Sequence, residues 1–131
     1  MKLPTALLIG IFVSLLSGCD GSSALPAINF IGKTRSEVVA IFAEAPRVLD
    51  NDINIKVPIG KHDNFNCGGN LYFKTPEEAL ANEQVRSAPY LGGYQIKRRA
   101  AVPGGWDYYV VSFGPDGRVD KQAVVSCFDG P

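Results

Sequence analysis

The residues able to do chemistry are few. The chain of 131 residues holds three cysteines and one histidine. His62 and Cys67 stand five apart, which suggests a thiol–imidazole pair or part of a metal site. A structural zinc site needs four closely spaced ligands, and one histidine beside one cysteine falls short of that. No metal is expected. Glu77 and Glu78 offer two carboxylates, but adjacent residues on a helix do not face one another. At a helix start they favour the macrodipole instead. Ser112 and Ser126 lack the flanking glycines of a nucleophile elbow. Gly92-Gly93 and Gly104-Gly105 neither precede a helix nor carry the spacing of a nucleotide loop, so both pairs read as turns. The expectation is a non-enzyme with no catalytic residue, no cofactor and no small-molecule substrate.

The first cysteine has a different setting. Met1 and Lys2 form a short positive region, Ala6 to Leu16 is an apolar run, and Ser17 and Gly18 are small. This is the layout of a secretory signal peptide. The run is shorter than the roughly 20 apolar residues a spanning helix needs. Leu16-Ser17-Gly18-Cys19 resembles the lipobox of bacterial lipoproteins, where a peptidase cuts just before the cysteine. The resemblance implies a diacylglycerol thioether on Cys19 and a further acyl chain on its amine. Each buried methylene contributes about 0.8 kcal/mol, so several chains on one residue hold it to a bilayer. Asp20 resembles the residue that retains lipoproteins in the inner membrane of enteric bacteria. The expected location is the cell envelope, lipid-anchored and facing the periplasm. The inner membrane is favoured and the outer membrane stays open.

The remaining charge is balanced. The whole chain has formal net charge +0, and losing Lys2 leaves one acidic group in excess. Such a domain has no electrostatic footprint for nucleic acid. With Cys19 assigned to lipid, Cys67 and Cys127 remain in an oxidising compartment, where a pair most simply forms a disulfide. It would close a loop of about 60 residues, worth roughly 4 kcal/mol in the chain-entropy model. The alternative is a free thiol, which needs an activating neighbour.

The elements follow from pattern. Asp20 to Asn29 is small and polar and reads as a tether, reaching at most about 35 Å when extended. Thr34 and Glu37 make a capping box. Val38, Ile41, Phe42 and Ala45 repeat at helical spacing, predicting a helix from about Arg35 to Ala43. Ile53, Ile55, Val57 and Ile59 alternate as a half-buried strand, and Pro58 marks an edge strand or a strand end. Asn70 to Phe73 is a short strand. Thr75, Pro76 and Glu78 open a second helix reaching about Gln84, thin in apolar residues and expected at the surface. Three strands close the chain, Tyr94–Ala101, Trp106–Phe113 and Arg118–Phe128, with Gly114-Pro115-Asp116-Gly117 as a hairpin turn. The fold class is α+β, with an antiparallel sheet of three to four strands, two short helices and one disulfide. Residues 1–18 are the signal peptide, 19–29 the tether and 30–131 one domain.

Gly32-Lys33-Thr34 with Val38, Phe42 and Pro46 resembles the start of the SmpA/OmlA family, the BamE-like small lipoproteins. Trp106-Asp107-Tyr108, Val111-Ser112-Phe113 and Gly117-Arg118-Val119 resemble that family's closing hairpin. The likeness covers roughly 30–46 and 105–120. Over about 47–92 the chain departs from it, because the family places two helices before the sheet. β-Lactamase-inhibitor-protein domains share the layout of helices on one face of an antiparallel sheet. The resemblance implies a scaffold or partner-binding role in envelope assembly. The alternative is a tethered inhibitor or immunity protein that meets an envelope-targeting enzyme. Contact residues would be the basic cluster Lys97, Arg98 and Arg99 and the hairpin aromatics Trp106, Tyr108 and Tyr109, touching an envelope protein or anionic headgroups.

Overall fold

The computed structural model describes residues 25–47, 51–58, 69–97 and 105–128. Its first helix, α1 (Arg35–Phe42), starts where the capping box demands: Thr34 Oγ1 accepts from Glu37 N, and the Glu37 carboxylate accepts from Thr34 N at 2.8 Å. Val38, Val39 and Phe42 turn inward. Two strands follow, β1 (Ile53–Lys56) and β2 (Asn70–Phe73), then α2 (Pro76–Ala81) and α3 (Glu83–Ser87). The chain closes with β3 (Tyr90–Lys97), β4 (Gly105–Phe113) and β5 (Val119–Phe128).

The strands form one antiparallel sheet in the order β2-β1-β3-β4-β5. The class is α+β, with five strands among the described residues rather than three to four and three helices rather than two. Helix α1 packs its apolar face on the sheet through Val38, Val39 and Phe42, against Ile53, Ile55, Leu91, Tyr109, Val111 and Val119. Phe30 fills the gap edge-on, with ring centroids 5.6 Å from Phe42 and 5.0 Å from Tyr109.

Four expectations are corrected by packing. The stretch expected as one surface helix breaks at Asn82, whose extended ψ ends α2 while its side chain accepts from Val85 N at 3.1 Å to cap α3. Ala79 and Val85 are fully buried, so the pair belongs to the core. β1 is an interior strand between β2 and β3, and Pro58 lies beyond its end, which removes the edge reading and keeps the strand-end one. β3 starts four residues earlier than the expected Tyr94, because Gly92-Gly93 is strand and not turn. A Cβ at Gly93 would lie 2.3 Å from the Phe42 ring, so α1 approaches the sheet at a point where only glycine fits. Just beyond it the register shifts, and Tyr94 takes φ 60 at the bulge, in the left-handed region.

The fourth correction concerns the start of the domain. Leu25 and Ile28 pack against the core, so the second half of the expected tether is docked. The Tyr109 hydroxyl donates to the Pro26 carbonyl at 2.5 Å and accepts from Ile28 N at 3.2 Å. The Gln122 amide donates to the Ile28 carbonyl at 2.8 Å and accepts from Phe30 N at 2.6 Å. Backbone bonds continue this run: Gly32 N donates to the Val119 carbonyl and Val119 N to the Lys33 carbonyl, each at 2.9 Å. Residues 25–34 thus form a strap running antiparallel along the outer side of β5, with Thr34 bridged to Arg118.

Candidate functional site

Alternation along β4 divides the hairpin aromatics between the two faces of the sheet. Tyr109 and Val111 join the core under α1. Trp106, Tyr108, Val110 and Ser112 face the other way, where Tyr108, Val110 and Cys127 make a second, smaller buried cluster with Val125 against it. Cross-strand pairing gives this second face a regular grid. Trp106 sits between Lys97 and Cys127, Val110 between Gly92 and Ala123, and Ser112 between Tyr90 and Lys121. Tyr108 is opposite Val125.

The middle of the grid is shallow because Gly92 and Ala123 are small. Toward the Ser112 end lies an open groove of about 580 Å³, lined by Tyr90, Val110, Ser112, Lys121, Ala123 and Val125 among others. Val110, Ala123 and Val125 supply apolar lining, while Tyr90 and the exposed Lys121 offer polar tips. Ser112 Oγ donates to Asp120 Oδ1 at 2.5 Å, which ties down the serine hydroxyl at the groove. This arrangement suits an extended or apolar segment with a few hydrogen-bonding groups.

Beyond the groove, Lys56 lies on the same face and is nearly fully buried. Its ammonium donates to Asn70 Oδ1 at 2.5 Å and rests 4.9 Å from the centroid of the Tyr108 ring. A cation over an aromatic face in a desolvated setting is favourable. Burial pushes the Tyr108 phenol above its ordinary range, so it is protonated at neutral pH. A Cβ on Gly92 would meet both Lys56 and Tyr108 at about 3.1 and 3.0 Å, which shows how closely this corner closes.

The expected contact residues separate. Trp106 and Lys97 are brought side by side on this face, Lys97 exposed and Trp106 half-buried. Tyr108 and Tyr109 are both buried, on opposite faces, and each has a role within the chain: Tyr108 under Lys56, Tyr109 clamping the strap. Arg98, Arg99, Cys19, Asp20, His62 and Cys67 lie outside the described residues. Cys127 is disulfide-bonded, and the other cysteines of the chain, Cys19 and Cys67, are both outside that set.

The groups considered for chemistry stay apart. Glu77 and Glu78 are exposed on the first turn of α2. Ser126 Oγ donates to the buried Asp107 carboxylate at 2.6 Å, a structural bond within the hairpin. No group of three or more metal-ligating side chains occurs among the described residues, nor does any helix long and apolar enough to cross a membrane. Reading the sequence alone missed Tyr90, Val110, Lys121 and Ala123. Their signal was present in the period-two alternation of the last two strands, but the strand pairing that joins them was not. Compared with protein-family models, curated proteins and solved structures, the chain matches none.

Proposed function

We propose that this chain is a bacterial lipoprotein anchored through lipid on Cys19, whose small periplasm-facing domain binds another envelope protein and serves as a scaffold in envelope assembly or maintenance. The observation that carries the binding half of this reading is the groove beside Ser112 on the sheet face opposite α1. It is open, mostly apolar and edged by Tyr90 and Lys121. The anchoring half rests on Leu16-Ser17-Gly18-Cys19 and the signal segment before it.

Two further points support the reading. The stretches that resemble the BamE-like lipoproteins, around Gly32-Lys33-Thr34 and Gly117-Arg118-Val119, are far apart in sequence yet bonded to each other through the strap. The Ser112 hydroxyl at the groove is held by Asp120 Oδ1, so it serves as fixed lining for a bound segment. Within this proposal Cys67 is the partner of Cys127, and Asp20 directs the protein to the inner membrane.

Photo-crosslinking in whole cells tests the reading directly. A photoreactive residue replacing Lys121 should yield a discrete adduct with a resident envelope protein, while one replacing the exposed Glu83, on the helical side, should not. Equal labelling from both positions, or none from Lys121, overturns the groove as the docking site. Capture of an externally supplied hydrolase or toxin at Lys121, with protection of the cells against it, would replace the scaffold by a tethered inhibitor or immunity protein.

A further inference from the structure

We infer that the end of the sheet carrying Leu25, Lys97 and Trp106 faces a lipid bilayer, leaving the groove at the opposite end directed away from it. This rests on the reading of Cys19 as the lipid anchor.

The strap is held from Leu25 onward by the packing of Leu25 and Ile28 and by the bonds of Tyr109 and Gln122. Only residues 20–24 then separate the anchor from the docked chain. Six residue steps span at most about 20 Å when fully extended. A domain of this size has a radius of gyration of about 13 Å, hence a diameter of about 33 Å. The leash is therefore shorter than the body it holds, and the domain cannot turn its far side to the membrane.

The direction of the strap decides which side is near. Its pairing with β5 is antiparallel, with Lys33 opposite Val119 and Thr34 opposite Arg118. Carrying that register on brings Leu25 level with Cys127. Cys127 pairs with Trp106, and Trp106 with Lys97. The anchored end of the strap thus shares one row with an exposed lysine and a half-buried tryptophan. A tryptophan and a lysine at one level are residue types that settle at a headgroup boundary. Ser112, Tyr90 and Lys121, which edge the groove, occupy the other end of the same three strands. Lys121 stands about 20 Å along β5 from Cys127.

Trp106 is the only tryptophan of the chain, so its fluorescence reads the geometry without substitution. The full lipoprotein is purified in detergent, its lipid on Cys19 verified by mass, and it is reconstituted into vesicles of phosphatidylcholine and phosphatidylglycerol brominated along the acyl chains. Trp106 emission should fall at least two-fold relative to vesicles of unbrominated lipid. A second protein, Trp106→Phe with Lys121→Trp, moves the reporter to the exposed groove end of β5 and should show little quenching. Unquenched Trp106 in a protein shown to carry lipid overturns the orientation while leaving the anchor intact. Equal quenching from both positions does the same. Absence of lipid on Cys19 in the processed protein overturns the anchor itself, and the orientation with it. Should the double variant fail to fold, a nitroxide attached at Lys121→Cys in the wild-type background replaces it, with relaxation by a lipid-soluble agent as the readout. Strong relaxation there would overturn the orientation.

Discussion

Gly93 shows how much of this fold turns on one missing methyl group. A Cβ there would stand 2.3 Å from Cδ2 of Phe42, inside van der Waals contact with a buried ring. Gly93→Ala should cost about 1–3 kcal/mol, as overpacked cores do, read as a lower urea midpoint with an unchanged slope. Gly92→Ala meets Tyr108 and Lys56 at 3.0–3.1 Å, where a lysine stem can shift, and should cost less than Gly93→Ala. A pair of adjacent glycines reads as a turn in one dimension. Here each is instead the place where one face of a strand is approached by a large side chain. Tyr109 makes the same point from the other direction. Its hydroxyl was expected at a surface, and it is the bridge that holds two backbone groups of the strap.

At the scale of elements, the caps were legible because they are local. Thr34 and Glu37 bond each other across three residues, and nothing distant is needed to form that box. The bonds from Thr34 hold the Glu37 carboxyl below its ordinary range. A carboxyl with a lowered folded-state pKa stabilises the fold above its unfolded value, and that contribution fades as pH falls through the lowered one. Glu37→Ala should therefore melt below the wild type at pH 7, and the gap should narrow below about pH 4. Thermal melts of both proteins across this window check it, and a gap that widens in acid would refute the assignment. The break between α2 and α3 was less legible. Asn82 is an unremarkable helix residue until its side chain turns back to cap Val85, and that choice follows from burying both Ala79 and Val85 against the sheet. Arg35 fastens the same corner: its guanidinium donates to the carbonyls of Val85 and Ala88 and lies 4.0 Å over the Phe113 ring.

For the whole molecule, the asymmetry of the sheet organises everything else. One face is sealed by α1 and the helix pair, and the other carries the groove, the Lys56–Tyr108 contact and Cys127. The last strand is disulfide-bonded at Cys127. With Cys67 as the second sulfur, the bond closes a loop of about 60 residues and contributes roughly 4 kcal/mol. Cys127→Ser should lower the unfolding free energy by that order in urea titrations, and reductant should do the same to the wild type. The native chain should resist alkylation at both cysteines, and ready labelling of both in the folded protein would refute the pairing.

The sequence by itself determined what depends on neighbours along the chain. The apolar run before Cys19, the caps at Thr34 and Thr75, the α1 face of Val38 and Phe42, and the Gly114–Gly117 hairpin are all short-range patterns. They set the α+β class and the compartment expected for the chain. Only the tertiary structure decided which strands adjoin. The interior place of β1, the strand at Gly92-Gly93, the meeting of Lys97 with Trp106 and the docking of residues 25–34 all join segments distant in sequence. Strand alternation specifies which side chains share a face, but carries no information about the strand that lies beside them. That neighbour is chosen by the burial of one common core, and the groove, the strap and the proposed membrane-facing end all follow from it.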